Sequence, residues 1–131
     1  MRVTLADIGA AIEAALARPE ADAIYCGKLS LADLGNHALF ALDHPRQCTL
    51  RGAQAFLKDA AEAELAEGID GGFRAAYELL LTFVQQVVVE RGCPDCDAER
   101  GRDCSVPTTD GRKLGREWIH DARALEPAVV A

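Results

Sequence analysis

Apolar side chains recur at three- and four-residue intervals through positions 1–90, and polar breakers separate the runs. Leu5, Ile8, Ile12 and Leu16 fall on one side of a helix, and Thr4 with Asp7 forms a capping-box pattern at its start. Pro19 marks its end. Ser30 and Asp33 repeat the start signal ahead of Leu31, Leu34, Ala38 and Leu42, and His44-Pro45 closes that segment. Thr49 is placed to cap a third helix carrying Leu50, Ala53, Phe56, Leu57, Ala60 and Leu65, with Gly68 to stop it. A fourth helix is expected from Gly72 to Glu90, with Phe73, Ala76, Tyr77, Leu80, Leu81, Val84, Val87 and Val88 on one broad face. Hardly any stretch alternates with period two, so no strand is expected before residue 90. The β-branched run Val87-Val88-Val89 continues a helical pattern without a breaker and is read as helix. The expected fold is mainly α, with a four-helix N-terminal domain over residues 1–90.

From Gly92 the texture changes. Residues 91–123 carry few large apolar side chains, chiefly Val106, Leu114, Trp118 and Ile119, too few to bury a core unaided. This segment is expected to be a separate module held together by something other than hydrophobic burial, and residues 124–131 a loose tail. The fourth helix raises a different expectation. Between Leu79 and Val89 only Thr82, Gln85 and Gln86 are polar, so the helix needs cover nearly all round. Three short, Ala-rich helices look too slight to supply it, which predicts a homodimer pairing through residues 79–89, around Leu79, Phe83 and Val87.

Composition narrows the class. The chain has 131 residues, half of them apolar and 27% charged, as in a soluble globular protein. A net charge of −7 excludes a protein that coats nucleic acid or an anionic membrane over its whole surface. No apolar run approaches the roughly 18 residues needed to span a bilayer. Asp7 and Glu13 interrupt any signal-peptide core at the N-terminus, so a cytoplasmic protein is expected. The charge is unevenly placed: residues 1–90 hold seven basic and thirteen acidic side chains, whereas residues 91–123 hold seven of each. Arg112, Lys113 and Arg116 make a small basic loop in the second part.

The cysteines carry the clearest chemistry. Three of the five lie between Cys93 and Cys104, an arrangement unlike a secreted disulfide framework and suited to holding a metal in a reducing compartment. Cys93-Pro94-Asp95-Cys96 lets two thiolates grip one ion from a tight turn. Cys104 follows after seven residues and His120 after fifteen more, completing a tetrahedral Cys3His set for zinc. Asp97, Asp103, Asp121, His44 or a water are alternatives to His120 as the fourth donor. Trp118 and Ile119 suggest that His120 rides a short helix packed on this knuckle.

Residues 93–123 resemble the small zinc-binding module of actinobacterial and actinophage proteins, CPxCxAxxGxxC followed by a Gly-containing loop and HxxR. The matching residues are Cys93, Pro94, Cys96, Ala98, Gly101, Cys104, Gly111, His120 and Arg123. The resemblance covers about a quarter of the chain and implies a Cys3His zinc knuckle, without implying an activity.

Other chemistries fit less well. A zinc nucleoside deaminase needs H-x-E and P-C-x-x-C, and neither His37, His44 nor His120 is followed two residues later by Glu. An iron–sulfur protein of the WhiB type would recruit Cys26 or Cys48 as a fourth cysteine, at a spacing that does not match closely. A thioredoxin-type CxxC would follow a strand, and a helix precedes it here. Cys26 and Cys48, in apolar surroundings, read as small buried hydrophobes. Asp33 and His37, one helical turn apart, read as a cap and a polar-face histidine rather than an acid–base pair. Asp59, Glu62, Glu64 and Glu67 read as a solvated acidic face of the third helix.

The functional expectation is a zinc-stabilised helical regulatory or adaptor protein that acts by macromolecular binding, with no catalytic residue. A protein partner is favoured by the overall acidity, and local DNA contact through Arg112, Lys113, Arg116 and Arg123 is the second mode. The alternative is a catalytic zinc held by Cys93, Cys96 and Cys104, with water in the fourth position and His120 free as general base.

Overall fold

The computed structural model describes residues 2–43, 50–69, 72–93 and 99–102. Four helices, α1 (Leu5–Leu16), α2 (Leu31–Asp43), α3 (Leu50–Ala66) and α4 (Gly72–Glu90), carry the fold. Each packs on its neighbour in sequence, and α4 closes the ring against α1. Their inward stripes meet in one core that includes Ile8, Ile12, Leu34, Leu57, Phe73 and Leu80.

The starts of α1 and α2 are where the local sequence puts them, and Thr49, the expected cap of α3, lies outside the described residues. At α1 the Thr4 hydroxyl accepts from the Asp7 N–H at 3.2 Å, and Asp7 Oδ2 accepts from the Thr4 N–H at 2.9 Å. Ser30 and Asp33 make the same reciprocal pair at α2, both at 3.1 Å. Each box satisfies two N–H groups that a helix start would otherwise leave without a partner. The α3 helix ends at Gly68, whose φ of 69° is open to glycine. Gly68 N–H donates to the Leu65 carbonyl at 3.0 Å, and Ile69 N–H donates to the Glu64 carbonyl at 2.9 Å. This is a Schellman stop.

Two strands depart from the all-helical expectation for residues 1–90. β1 (Tyr25–Cys26) and β2 (Leu29–Ser30) pair antiparallel, Cys26 opposite Leu29, across the two-residue turn Gly27-Lys28. Two-residue strands are too short to show a period of two, and only the glycine in the turn hints at them. The hairpin also corrects the reading of Cys26, which is exposed on β1 and is no buried hydrophobe. Ahead of it, Pro19 opens a 3-10 turn, Pro19–Asp22, instead of merely closing α1.

The expected pairing face of α4 lies inside the single chain. Phe83 is 8% exposed and Val87 2%, and Leu80 and Val84 are fully covered. Leu79 is half-buried against the same core, while Val89 is exposed. The flanking helices α1 and α3 supply the cover that their short apolar stripes had not suggested. Near the start of α4 the helices also approach closely: a Cβ on Gly35 of α2 would sit 2.7 Å from Phe73 Cε1 and 2.8 Å from Leu16 Cδ2. At the start of α4, a Cβ on Gly72 would sit 2.7 Å from Ala15 Cβ. Small residues bring the helices together, so modest side chains fill the space between them. No described helix is long and apolar enough to cross a membrane.

Candidate metal centre

The first cysteine of the cluster stands where α4 ends. The helical hydrogen bonding runs on for one residue, Arg91 N–H donating to the Val87 carbonyl at 2.9 Å. Cys93 then turns inward, is 4% exposed, and joins the core of the helical bundle. At Gly101 the chain is back at the same helix end. Gly101 N–H donates to the Val88 carbonyl at 2.6 Å, so one of the last carbonyls of α4 gains a donor from outside the helix. Gly101 has φ 85°, a conformation that a side chain resists, and it matches the glycine of the CPxCxAxxGxxC pattern. Arg102 N–H closes a small turn onto the Glu99 carbonyl at 3.0 Å, and the two side chains form a weak exposed ion pair at 3.8 Å.

The N-terminus braces the same helix end. Val3 N–H donates to Gln86 Oε1 at 2.9 Å, and Gln86 Nε2 donates to the Val3 carbonyl at 2.9 Å. One side-chain amide thus satisfies both backbone groups of Val3, as a neighbouring strand would. One turn on, Arg2 pairs with Glu90. Its hydrogen bond and charge hold the Glu90 carboxyl below the usual carboxylate range, and the partner guanidinium is raised in turn. The segment entering the cysteine cluster therefore starts from a fixed point. Nothing in the hydrophobic pattern pointed to Gln86 as a clamp; it counted only as one polar residue in an apolar run.

Of the expected ligands, Cys93 lies within the described residues, whereas Cys96, Cys104 and His120 lie outside them, as do Arg112, Lys113, Arg116 and Arg123. Cys48 and His44 lie outside them as well. Among the described residues no group of three or more His, Cys, Asp and Glu side chains is placed to hold a metal ion. Asp33 is engaged in its cap, and His37, exposed on α2, stacks on Phe56 with ring centroids 5.1 Å apart and an interplanar angle of 25°.

Glu64 is a correction to the expected acidic face of α3. Asp59, Glu62 and Glu67 are exposed, but Glu64 is 4% exposed and reaches the start of α4. Its carboxylate accepts from Arg74 N–H at 3.1 Å and from Phe73 N–H at 3.4 Å. No local pattern could have revealed this cap, because it is supplied by a residue nine positions upstream on another helix. Comparison with known proteins returned no matching family model, no matching curated protein and no matching solved structure.

Proposed function

We infer that the chain is a zinc-stabilised helical adaptor of the cytosol, in which the bundle presents a C-terminal metal knuckle and binds a protein partner. The observation that supports it is the return of the chain at the end of α4. Cys93 is buried against the bundle, and Gly101 closes back onto the Val88 carbonyl. A loop that leaves a helix through one cysteine and returns eight residues later suits a knuckle in which Cys93, Cys96 and Cys104 surround one ion. His120 would complete the set. Zinc bound there supplies the stability that residues 91–123 lack in apolar side chains. Residues 1–90 hold seven basic and thirteen acidic side chains, whereas residues 91–123 hold seven of each, Arg112, Lys113, Arg116 and Arg123 among them, so the two parts of the chain differ in charge.

Elemental analysis of the purified chain tests the metal first, with one zinc per chain as the expected result. Chelation is then expected to release that zinc and change the environment of Trp118, the only tryptophan, while the far-UV helical signal stays. Absence of zinc, or a coloured iron centre, overturns the proposal.

A further inference from the structure

The bundle has an open groove between α1 and α2. It has a volume of about 300 Å3 and is lined by Leu5, Ala6, Gly9, Ala10, Leu39 and Leu42, together with Glu13 and Asp43. Cavities that enclose a small molecule run roughly 300–1,000 Å3. This one is at the low end, and Ala6, Ala10 and Glu13 are exposed along it, so it suits an elongated apolar ridge laid along its length.

Its floor is low because α1 carries Ala6, Gly9 and Ala10 where a longer side chain would fill the space. A Cβ on Gly9 would meet only Leu39 Cδ2, at 3.8 Å. The two carboxylates set the rest of the specification. Gly9 lies by Leu39, and Leu16 lies by Gly35, so α1 and α2 run antiparallel here. Glu13 is one turn beyond Gly9 in one direction, and Asp43 is one turn beyond Leu39 in the other. They therefore flank the apolar floor, roughly 12 Å apart along the helix axes at 1.5 Å per residue and offset across the groove by a helix spacing of about 8–10 Å. Both are exposed, and no ion pair engages either one among the described residues.

We propose that this groove docks an amphipathic helix of a protein partner, one with an apolar centre and two basic side chains about seven residues apart that meet Glu13 and Asp43. Positions about seven apart share a helix face and span roughly 10 Å along it, close to the axial separation of the carboxylates, and the long stems of Lys or Arg reach across the lateral offset. The proposal deepens the adaptor reading by naming its partner's chemistry, and rests on the protein-binding part of that reading and not on the metal.

Fluorescence anisotropy with designed peptides tests it on the full chain. One labelled helical peptide carries two central leucines flanked by lysines at that spacing, and its control carries glutamates at the lysine positions. Saturable binding of the lysine peptide, at least ~10-fold tighter than the control, is expected and is equivalent to about 1.4 kcal/mol. The double variant Glu13→Lys, Asp43→Lys reverses the preference. Gly9→Leu fills the floor and removes binding of both peptides. Should Gly9→Leu lose its helical signal, the charge-reversed variant, which alters only exposed side chains, decides alone.

No saturation with either peptide, or an equal response to both, overturns the proposal. So does a doubled mass in light scattering that Gly9→Leu returns to one chain, since a second copy would then be the occupant. Zinc measured in the same samples separates the two ideas. A zinc-free chain that still discriminates the peptides sinks only the metal, and a zinc-loaded chain that binds neither sinks only the groove.

Discussion

A carboxylate removed from water is costly unless its oxygens are bonded, and Glu64 meets that condition by serving a helix other than its own. It meets two N–H groups at the start of α4, where the helix dipole favours negative charge. Glu64→Ala is expected to destabilise the fold by roughly 1–3 kcal/mol, since one buried and one part-buried donor lose their acceptor. Urea unfolding followed by circular dichroism measures it, and Asp59→Ala on the exposed side of the same helix serves as the neutral reference. Gln54 presents the opposite case. It is 2% exposed, and its Nε2 has no hydrogen-bond partner. Gln54→Leu removes that orphaned donor and is expected to leave stability unchanged or raise it by about 1 kcal/mol, read from the same unfolding midpoint. At the surface, Arg2 holds the Glu90 carboxyl below its ordinary range. A lowered carboxylate pKa stabilises the fold above the unfolded value, and that contribution is lost as the pH falls through the folded value. Both groups are exposed to solvent, so the consequence for global stability is small. An NMR titration is expected to place the Glu90 midpoint below that of an ordinary glutamate, and Arg2→Ala to return it.

Between elements, the governing feature is close approach at small residues. A Cβ added to Gly35 would fall 2.7 Å from a Phe73 ring carbon and 2.8 Å from Leu16 Cδ2, so the buried Phe73 ring and the Leu16 side chain would have to shift. Gly35→Ala gains helix propensity yet is expected to cost a net ~1–3 kcal/mol through overpacking. Thermal unfolding decides between the two effects, and a stabilised variant would show the contact to be softer than the geometry implies. The capping boxes belong to this scale too, and they were fully legible: Thr4 with Asp7 and Ser30 with Asp33 bond within four residues of chain, so the local sequence contains both partners. The hairpin was not legible. Its strands have two residues each, and its role is to turn the chain from the 3-10 segment into α2, which shows only in three dimensions.

For the whole molecule, burial of Phe83 and Val87 removes the reason for expecting a dimer through α4. Light scattering at micromolar concentration is expected to give the mass of one chain, 14.0 kDa. A doubled mass would require another face. Should residues 91–123 touch DNA, Arg112, Lys113, Arg116 and Arg123 offer four cations. Binding would then weaken with salt at a slope of roughly −3 to −4, and alanine at the first three would abolish it without loss of zinc.

The sequence by itself determined the four helices, the caps of α1 and α2 and the stop at Gly68, because periodicity, capping boxes and a glycine C-cap are encoded within a few neighbouring residues. The bounds of α4, Gly72–Glu90, were legible for the same reason. It also marked Cys93 as the start of a cluster, since ligand spacing is a property of the chain alone. Only the tertiary structure decided that Cys93 is buried against the bundle, that Gln86 clamps Val3, and that Glu64 leaves its acidic face to cap α4. Those contacts join residues far apart in sequence or on different helices. The same holds for the cover over α4: whether an apolar face is buried depends on which helices pack on it, here α1 and α3, and no window of sequence contains that packing.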